Sequence, residues 1–339
     1  MKLRKRMFVL IGLIVSAMIF SACGSKTSQP AAQSGTSAPQ DKASKFTIGV
    51  SMPTFNDKWL SYLLGSMKDF GDAHKDFNAT YVDAQNDANK QLSQVETFIS
   101  QKVSAIAIVP VDTVSIQQIV DKANKAKIPI VIINRTFDGV DKASAYVGGQ
   151  SIESGILEMT QVGKVLGGKG DIAVMEGSNG HEAAIQRTAG YKQVIKEKYP
   201  DIKIVLDQSA DFDRAKGMSL MENWLNSGKH IDAVAANNDE MAIGAIMALK
   251  AANKLDQIKV FGIDGTPVGL GFIKSGELQA TVFQDAMGQG KGGMETAYKL
   301  AKGEQVNKTN YVPYVLVTKD NVDEIQKKWD TARVSDGDK

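Results

Sequence analysis

Residues 128–134 read Ile-Pro-Ile-Val-Ile-Ile-Asn, with four branched aliphatic residues in succession at 130–133. A strand with one wet face alternates apolar and polar side chains, and this one has no polar position until Asn134. It is therefore a strand covered on both faces, as in parallel sheets flanked by crossover helices. Working outward, similar short runs stand at 46–52, 79–83 and 105–109. A helix from about Ala88 places Leu92, Val95 and Ile99 on one face. The pattern starts again near Gly170, with apolar runs at 171–175, 204–206, 233–236, 260–264 and 280–284, each separated by a helix-length segment. One hydrophobic core seldom grows past about 250 to 300 residues. Two βα series thus predict an α/β chain of two similar, doubly wound parallel-sheet lobes.

In open parallel sheets, ligands bind beyond the carboxyl ends of the strands. The residues that follow the apolar runs are Thr54, Asn56 and Asp57; Asp112 and Thr113; Asn134 and Arg135; His181 and Arg187; Phe212 and Asp213; Asn238 and Asp239; Asp264; Gln284 and Asp285, with Trp59 beside them. Planar carboxylate, amide and guanidinium groups can each grip two adjacent ring hydroxyls. The C–H faces of the same ring stack on aromatic planes. A phosphorylated ligand would call instead for clustered cations or a glycine-rich helix start. The mixture favours a neutral polyol. Each residue also has a plainer role open to it. Asn or Asp before a helix is often an N-cap, as Asp239 would be for the helix that follows; the arginines could form salt bridges, and Trp59 and Phe212 could be core anchors.

The chain starts with an address. Lys2, Arg4, Lys5 and Arg6 precede an apolar run over 7–20, which is too short to span a bilayer core of about 30 Å and fits an export signal over 1–22. Phe20-Ser21-Ala22-Cys23 resembles a bacterial lipobox, and Cys23, the only cysteine, is the expected lipidation site. Intrachain disulfides are thereby excluded. Residues 24–45, rich in Ser, Ala, Gln, Pro and Gly, read as a flexible linker with a reach of about 25 Å, so that 23–45 tethers the folded part to the cell membrane. The formal charge of +2 includes the four signal cations, so the remainder is slightly acidic and nucleic acid is not an expected partner.

An exported carbohydrate enzyme is the competing reading. No spacing singles out a catalytic carboxylate pair, and no G-x-S-x-G, H-E-x-x-H or cysteine nucleophile occurs. Residues 288–293 do satisfy G-x-G-x-x-G, but glycines also serve close helix packing. No enzyme activity, cofactor or metal is expected.

Residues 46–318 resemble the ribose/galactose-type (type I) periplasmic solute receptors of ABC importers. The resemblance rests on ADFDRAKGM from Ala210, NNDEMAIGA from Asn237, GIDGTPVGL from Gly262 and ATVFQ ending at Gln284. It implies three strand crossings at a hinge, a first lobe of 46–148 and 285–314, a second of 149–284 and 315–332, and a tail over 333–339. Ligand contacts carried over from the family fall on Asp57, Trp59, Asn134, Arg135, His181, Arg187, Phe212, Asn238, Asp264 and Gln284, with the ring between Trp59 and Phe212. Galactose-type receptors carry an acid where Ala183 stands and a calcium loop missing between Gly170 and Gly180; ribose-type receptors have Asp-Arg where this chain has Asn134-Arg135. The combination looks most like the inositol and rhizopine receptors, which puts myo-inositol first. The implied partners are a permease with its ATPase, the receptor itself being a monomer. A ribose or other sugar receptor, and a sensor subunit for chemotaxis or signalling, remain alternatives. A sugar-responsive repressor does not, because the export signal and linker stand where a DNA-binding head would.

Overall fold

The computed structural model describes residues 45–332. The export signal, Cys23, the linker up to residue 44 and the tail 333–339 lie outside the described residues. The first lobe is laid down as β1 (Phe46–Met52), α1 (Lys58–Ala73), β2 (Phe77–Asp83), α2 (Ala88–Ser100), β3 (Ala105–Ile108), α3 (Ser115–Lys125), β4 (Ile130–Ile133) and β5 (Ala145–Gly148). The second follows as α4 (Ser151–Val165), β6 (Lys169–Glu176), α5 (Glu182–Lys198), β7 (Asp201–Ser209), α6 (Arg214–Asn226), β8 (Ala233–Ala236), α7 (Asp239–Ala251), β9 (Lys259–Phe261), α8 (Pro267–Ser275) and β10 (Thr281–Phe283). The chain then returns with α9 (Ala286–Ala301) and β11 (Thr309–Tyr311), and crosses once more to β12 (Val315–Val317) and α10 (Val322–Trp329).

The first sheet has the order β11-β5-β4-β3-β1-β2 and the second β7-β6-β8-β9, every pairing in both being parallel. β10 continues from β9 through isolated parallel bridges and pairs antiparallel with β12. Three passages therefore link the lobes: after β5, between β10 and α9, and between β11 and β12. The run at 130–133 is fully buried, as its composition requires. The short strands β5, β11 and β12 were not among the expected ones.

Helices meet where glycine removes the obstacle. A Cβ at Gly290 would lie 2.5 Å from the carbonyl oxygen of Leu63, and one at Gly293 would lie 2.3 Å from Ile133 Cδ1, so the G-x-G-x-x-G run is the seam of α9 against α1 and β4. α4 and α5 meet the same way, since a Cβ at Gly155 would fall 2.1 Å from the carbonyl oxygen of Arg187. At the crossings, α10 acts as a clasp. Its Trp329 donates an indole hydrogen bond to the Gly265 carbonyl at 2.7 Å and packs its ring 4.6 Å from Tyr62 of α1 and 5.6 Å from Phe283 of β10. Among the described residues, no helix is long and apolar enough to cross a membrane.

Candidate functional site

The strand-to-helix turns of both lobes converge on one cavity, and all ten expected residues line it. From the first lobe come Asp57 and Trp59 after β1, and Asn134 and Arg135 after β4. From the second come His181, Arg187, Phe212, Asn238 and Asp264, while Gln284 stands on the passage after β10. The lining also contains Leu60, Ser151 and Ala183, which the sequence reading missed. Ser151 opens a helix, where serine ordinarily signals only a cap. Four further strand-end residues, Thr54, Asn56, Asp112 and Asp213, line a wider mouth outside the cavity.

Several of these side chains are aimed by helix caps. Asp57 accepts from the Leu60 N–H at 2.8 Å, which leaves its second oxygen for the cavity. His181 Nδ1 accepts from the Ala183 N–H at 3.1 Å, so the ring proton resides on Nε2. Burial, followed by Arg135 and Arg187, holds that imidazole well below its usual pKa, and it stays neutral. Its ring meets Phe212 edge-on at 4.8 Å. The cap of α7 is Asn238, which accepts from the Met241 N–H at 3.0 Å, and not Asp239 as expected. The Asp239 carboxylate is spent inside the second lobe, on the Thr281 hydroxyl at 2.6 Å and on Thr266 at 2.8 Å and 3.1 Å.

Three of the ten residues have left-handed backbones: Asn134 (φ 68°), Phe212 (φ 60°) and Asp264 (φ 129°). Such conformations are costly for side chains other than glycine and concentrate where a side chain must be presented in a fixed direction. Asp264 is held there by pairing with the next passage: its N–H donates to the Val282 carbonyl at 2.8 Å, and the Gln284 N–H donates to its carbonyl at 3.0 Å. The Trp59 indole N–H donates to the Gln284 carbonyl at 3.1 Å, so the aromatic wall of the first lobe is fastened to the crossing.

Both arginines are almost fully buried. Arg135 donates from Nη1 to the carbonyls of Pro110 (2.7 Å) and Val111 (3.2 Å), and burial brings its pKa down to about 10. Arg187 donates to the Asn237 carbonyl and to Gln284 Oε1 (2.8 Å), and its Nη1 stands 3.6 Å from Asp264 Oδ1. Burial pushes the Asp264 carboxyl well above its usual range, against the pull of Arg187. Among the described residues, Nε of each arginine is buried without a hydrogen-bond partner. Two buried donors, one from each lobe, thus accompany the acceptors of Asp57, Asn134 and Asp264. Among the described residues no cluster of three or more His, Cys, Asp or Glu could hold a metal ion.

Residues 48–305 match the model of the periplasmic binding protein domain. The chain belongs to the periplasmic binding protein family. A protein of Rhizobium meliloti named for rhizopine binding is 42% identical over 287 residues, covering 83% of this chain and 93% of that one. The ribose import binding protein of Bacillus subtilis is 35% identical over 306 residues, covering 90% and 97%. Among solved structures, an ABC transporter solute-binding protein from Bacillus halodurans with bound myo-inositol superposes with a TM-score of 0.82 at 52% identity, covering 84% of this chain and 98% of that one. This periplasmic binding protein thus shares its two-lobed α/β architecture with type I solute receptors, and the family's place is outside the cytoplasm.

Proposed function

We propose that this chain is the solute-binding lipoprotein of an ABC importer, taking a neutral cyclic polyol, myo-inositol first, into the cavity between its lobes and delivering it unchanged to a permease. The observation that carries this reading is the lining itself. Two guanidiniums and two carboxyl groups balance in formal charge, amides and a neutral imidazole stand between them, and Trp59 and Phe212 supply apolar planes. The Bacillus halodurans relative with myo-inositol bound supports the choice of ligand.

The ten residues named above are the proposed ligand contacts. The lobes are assigned as 46–148 with 285–314 and 149–284 with 315–332. Contacts drawn from both lobes supply the differential affinity that a ligand needs to favour the closed form. Lipidation of Cys23, a monomeric state, the permease and its ATPase complete the proposal. No residue pair is assigned a catalytic role, and the ligand should be recovered chemically intact. Ribose is the second reading, favoured by the relative from Bacillus subtilis. Calorimetric and Trp-fluorescence titration of the protein with inositols, pentoses and hexoses tests both. Tight binding of myo-inositol with weak or absent binding of ribose is expected, and a screen without heat or spectral change would end the proposal.

A further inference from the structure

Ser151 is the first residue of α4, which the chain enters straight from the passage after β5, and it lines the cavity. Its hydroxyl has one proton, and that proton is committed: Oγ donates to Glu182 Oε2 at 2.9 Å, with both residues buried. A hydroxyl whose proton is taken still offers two lone pairs. The Tyr314 hydroxyl, before β12, lies close to this serine and can fill one of them at most. The remaining lone pair belongs to an oxygen in the cavity wall. Glu182 itself is anomalous, for its Oε1 is buried with no hydrogen-bond partner among the described residues. A fold tolerates such an atom at a cost, and the cost needs a reason.

We propose that Ser151 accepts a hydrogen bond from one ring hydroxyl of the ligand on the hinge side of the cavity, and that Glu182 is the positioning residue that makes the serine an acceptor only. This rests on the polyol reading above and adds to it a rule of selection: at that ring position the ligand must carry a free O–H. A deoxy carbon or an ether oxygen there leaves the Ser151 oxygen unpaired, which is how a site built around a hydroxyl rejects an analogue lacking it.

The groups that face Glu182 are Arg187 on its own helix, Arg135 after β4, Tyr146 on β5, and Tyr314. Burial first, opposed by Ser151 and the two arginines, brings its carboxyl to about 7. Above that pH the carboxylate only accepts, and the serine must donate to it. Below it the protonated carboxyl can donate as well, the serine is free to turn its own proton outward, and the demand for a ligand donor relaxes.

The test is calorimetry on the full chain with myo-inositol and its set of monodeoxy analogues at pH 8.5 and pH 5.5. At pH 8.5 the wild type should bind one analogue about tenfold more weakly through loss of this contact, and the ratio should shrink at pH 5.5. Ser151→Ala should weaken myo-inositol about tenfold and bring that one ratio to unity, leaving the other ratios as they were. Glu182→Gln, which can both donate and accept at any pH, should remove the pH dependence of the ratio. Ser151→Cys, close in volume and a poorer acceptor, gives the same readout should the alanine variant not fold. Unchanged ratios in the Ser151 variants, or a pH dependence that survives Glu182→Gln, would overturn the inference while leaving the polyol reading standing. A wild type that binds no cyclitol sinks that reading, and this one with it.

Discussion

Each lobe brings one arginine to the cavity, and the two are held by different means. Arg135, from the first lobe, has main-chain carbonyls of the 110–111 turn as its anchors. Arg187, from the second, sits among the Asn237 carbonyl, the Gln284 amide oxygen and the Asp264 carboxyl. Burial acts against the charge of both. In Arg187 it is outweighed, Asp264 foremost, so that its pKa is raised where that of Arg135 is lowered. The difference extends inward. Behind Arg187 the buried Asn237 donates to the Tyr191 hydroxyl, and Tyr191 donates to Glu158, an acid fully out of contact with solvent. Removing Arg135 would leave carbonyls that can turn to other donors; removing Arg187 would strand a carboxyl. The second lobe's cation belongs to the fold as well as to the cavity, while the first lobe's belongs to the cavity.

The widest gap between the lobes should therefore open with Arg187→Ala. It is expected to lose ligand affinity by at least ~1.5 kcal/mol, the worth of a charge-assisted hydrogen bond. It should also lose about 3 kcal/mol of stability, since breaking one side of a buried pair leaves the other uncompensated. Calorimetry and thermal melts measure the two, and an unaltered affinity would remove Arg187 from the site. Adding Asp264→Asn should restore part of the melting temperature and none of the binding.

Next in size is the pH response of the second lobe. Burial raises the Glu158 carboxyl to about 8 in the folded protein, against an ordinary value near 4.5. The folded state keeps its proton where the unfolded chain has released it. Stability is thus fully present below about 4.5 and is lost as pH rises through about 8, by a swing of several kcal/mol. Melting of the ligand-free protein from pH 4.5 to 9 should show this fall, and Glu158→Gln should reduce it to the part that Glu182 and Asp239 contribute. A wild type that gains stability over that range contradicts the assignment.

For Arg135→Ala the comparison predicts a split result: affinity lower by about 1.5–3 kcal/mol, with the melting temperature unchanged or raised, because a buried charge without a carboxylate partner is removed. Equal destabilisation by the two arginine variants would erase the distinction between the lobes. The smallest effect is reserved for Trp59→Phe, which keeps a ring in the wall and gives up the bond to the Gln284 carbonyl. A loss of about 1 kcal/mol in affinity is expected by titration.

How far the sequence carried can be judged residue by residue. β1 and β8 begin and end where their apolar runs do, because four or five consecutive residues buried on both faces of the sheet leave no other reading. β5, β11 and β12 are three or four residues long, too short for any period to register, and they exist because neighbouring strands offer them partners. The site was legible because parallel sheets bring their strand ends to one side, whatever the details of each turn. Asp239 was misjudged since Asn238 and Asp239 are equally good caps on paper, and only the two threonines at 266 and 281 decide which carboxyl or amide is free. Ser151 was missed for a related reason: its partner Glu182 is 31 positions away, and no local pattern links them.

The glycine contact between α4 and α5 has a further consequence. Residue 155 touches the main chain of Arg187 with no side chain between, and α4 is the first element after the passage from β5, so the guanidinium is registered to the pivot through rigid backbone alone. A methyl group at 155 would act as a shim, tilting one rod against the other and spoiling the aim of a side chain it never meets.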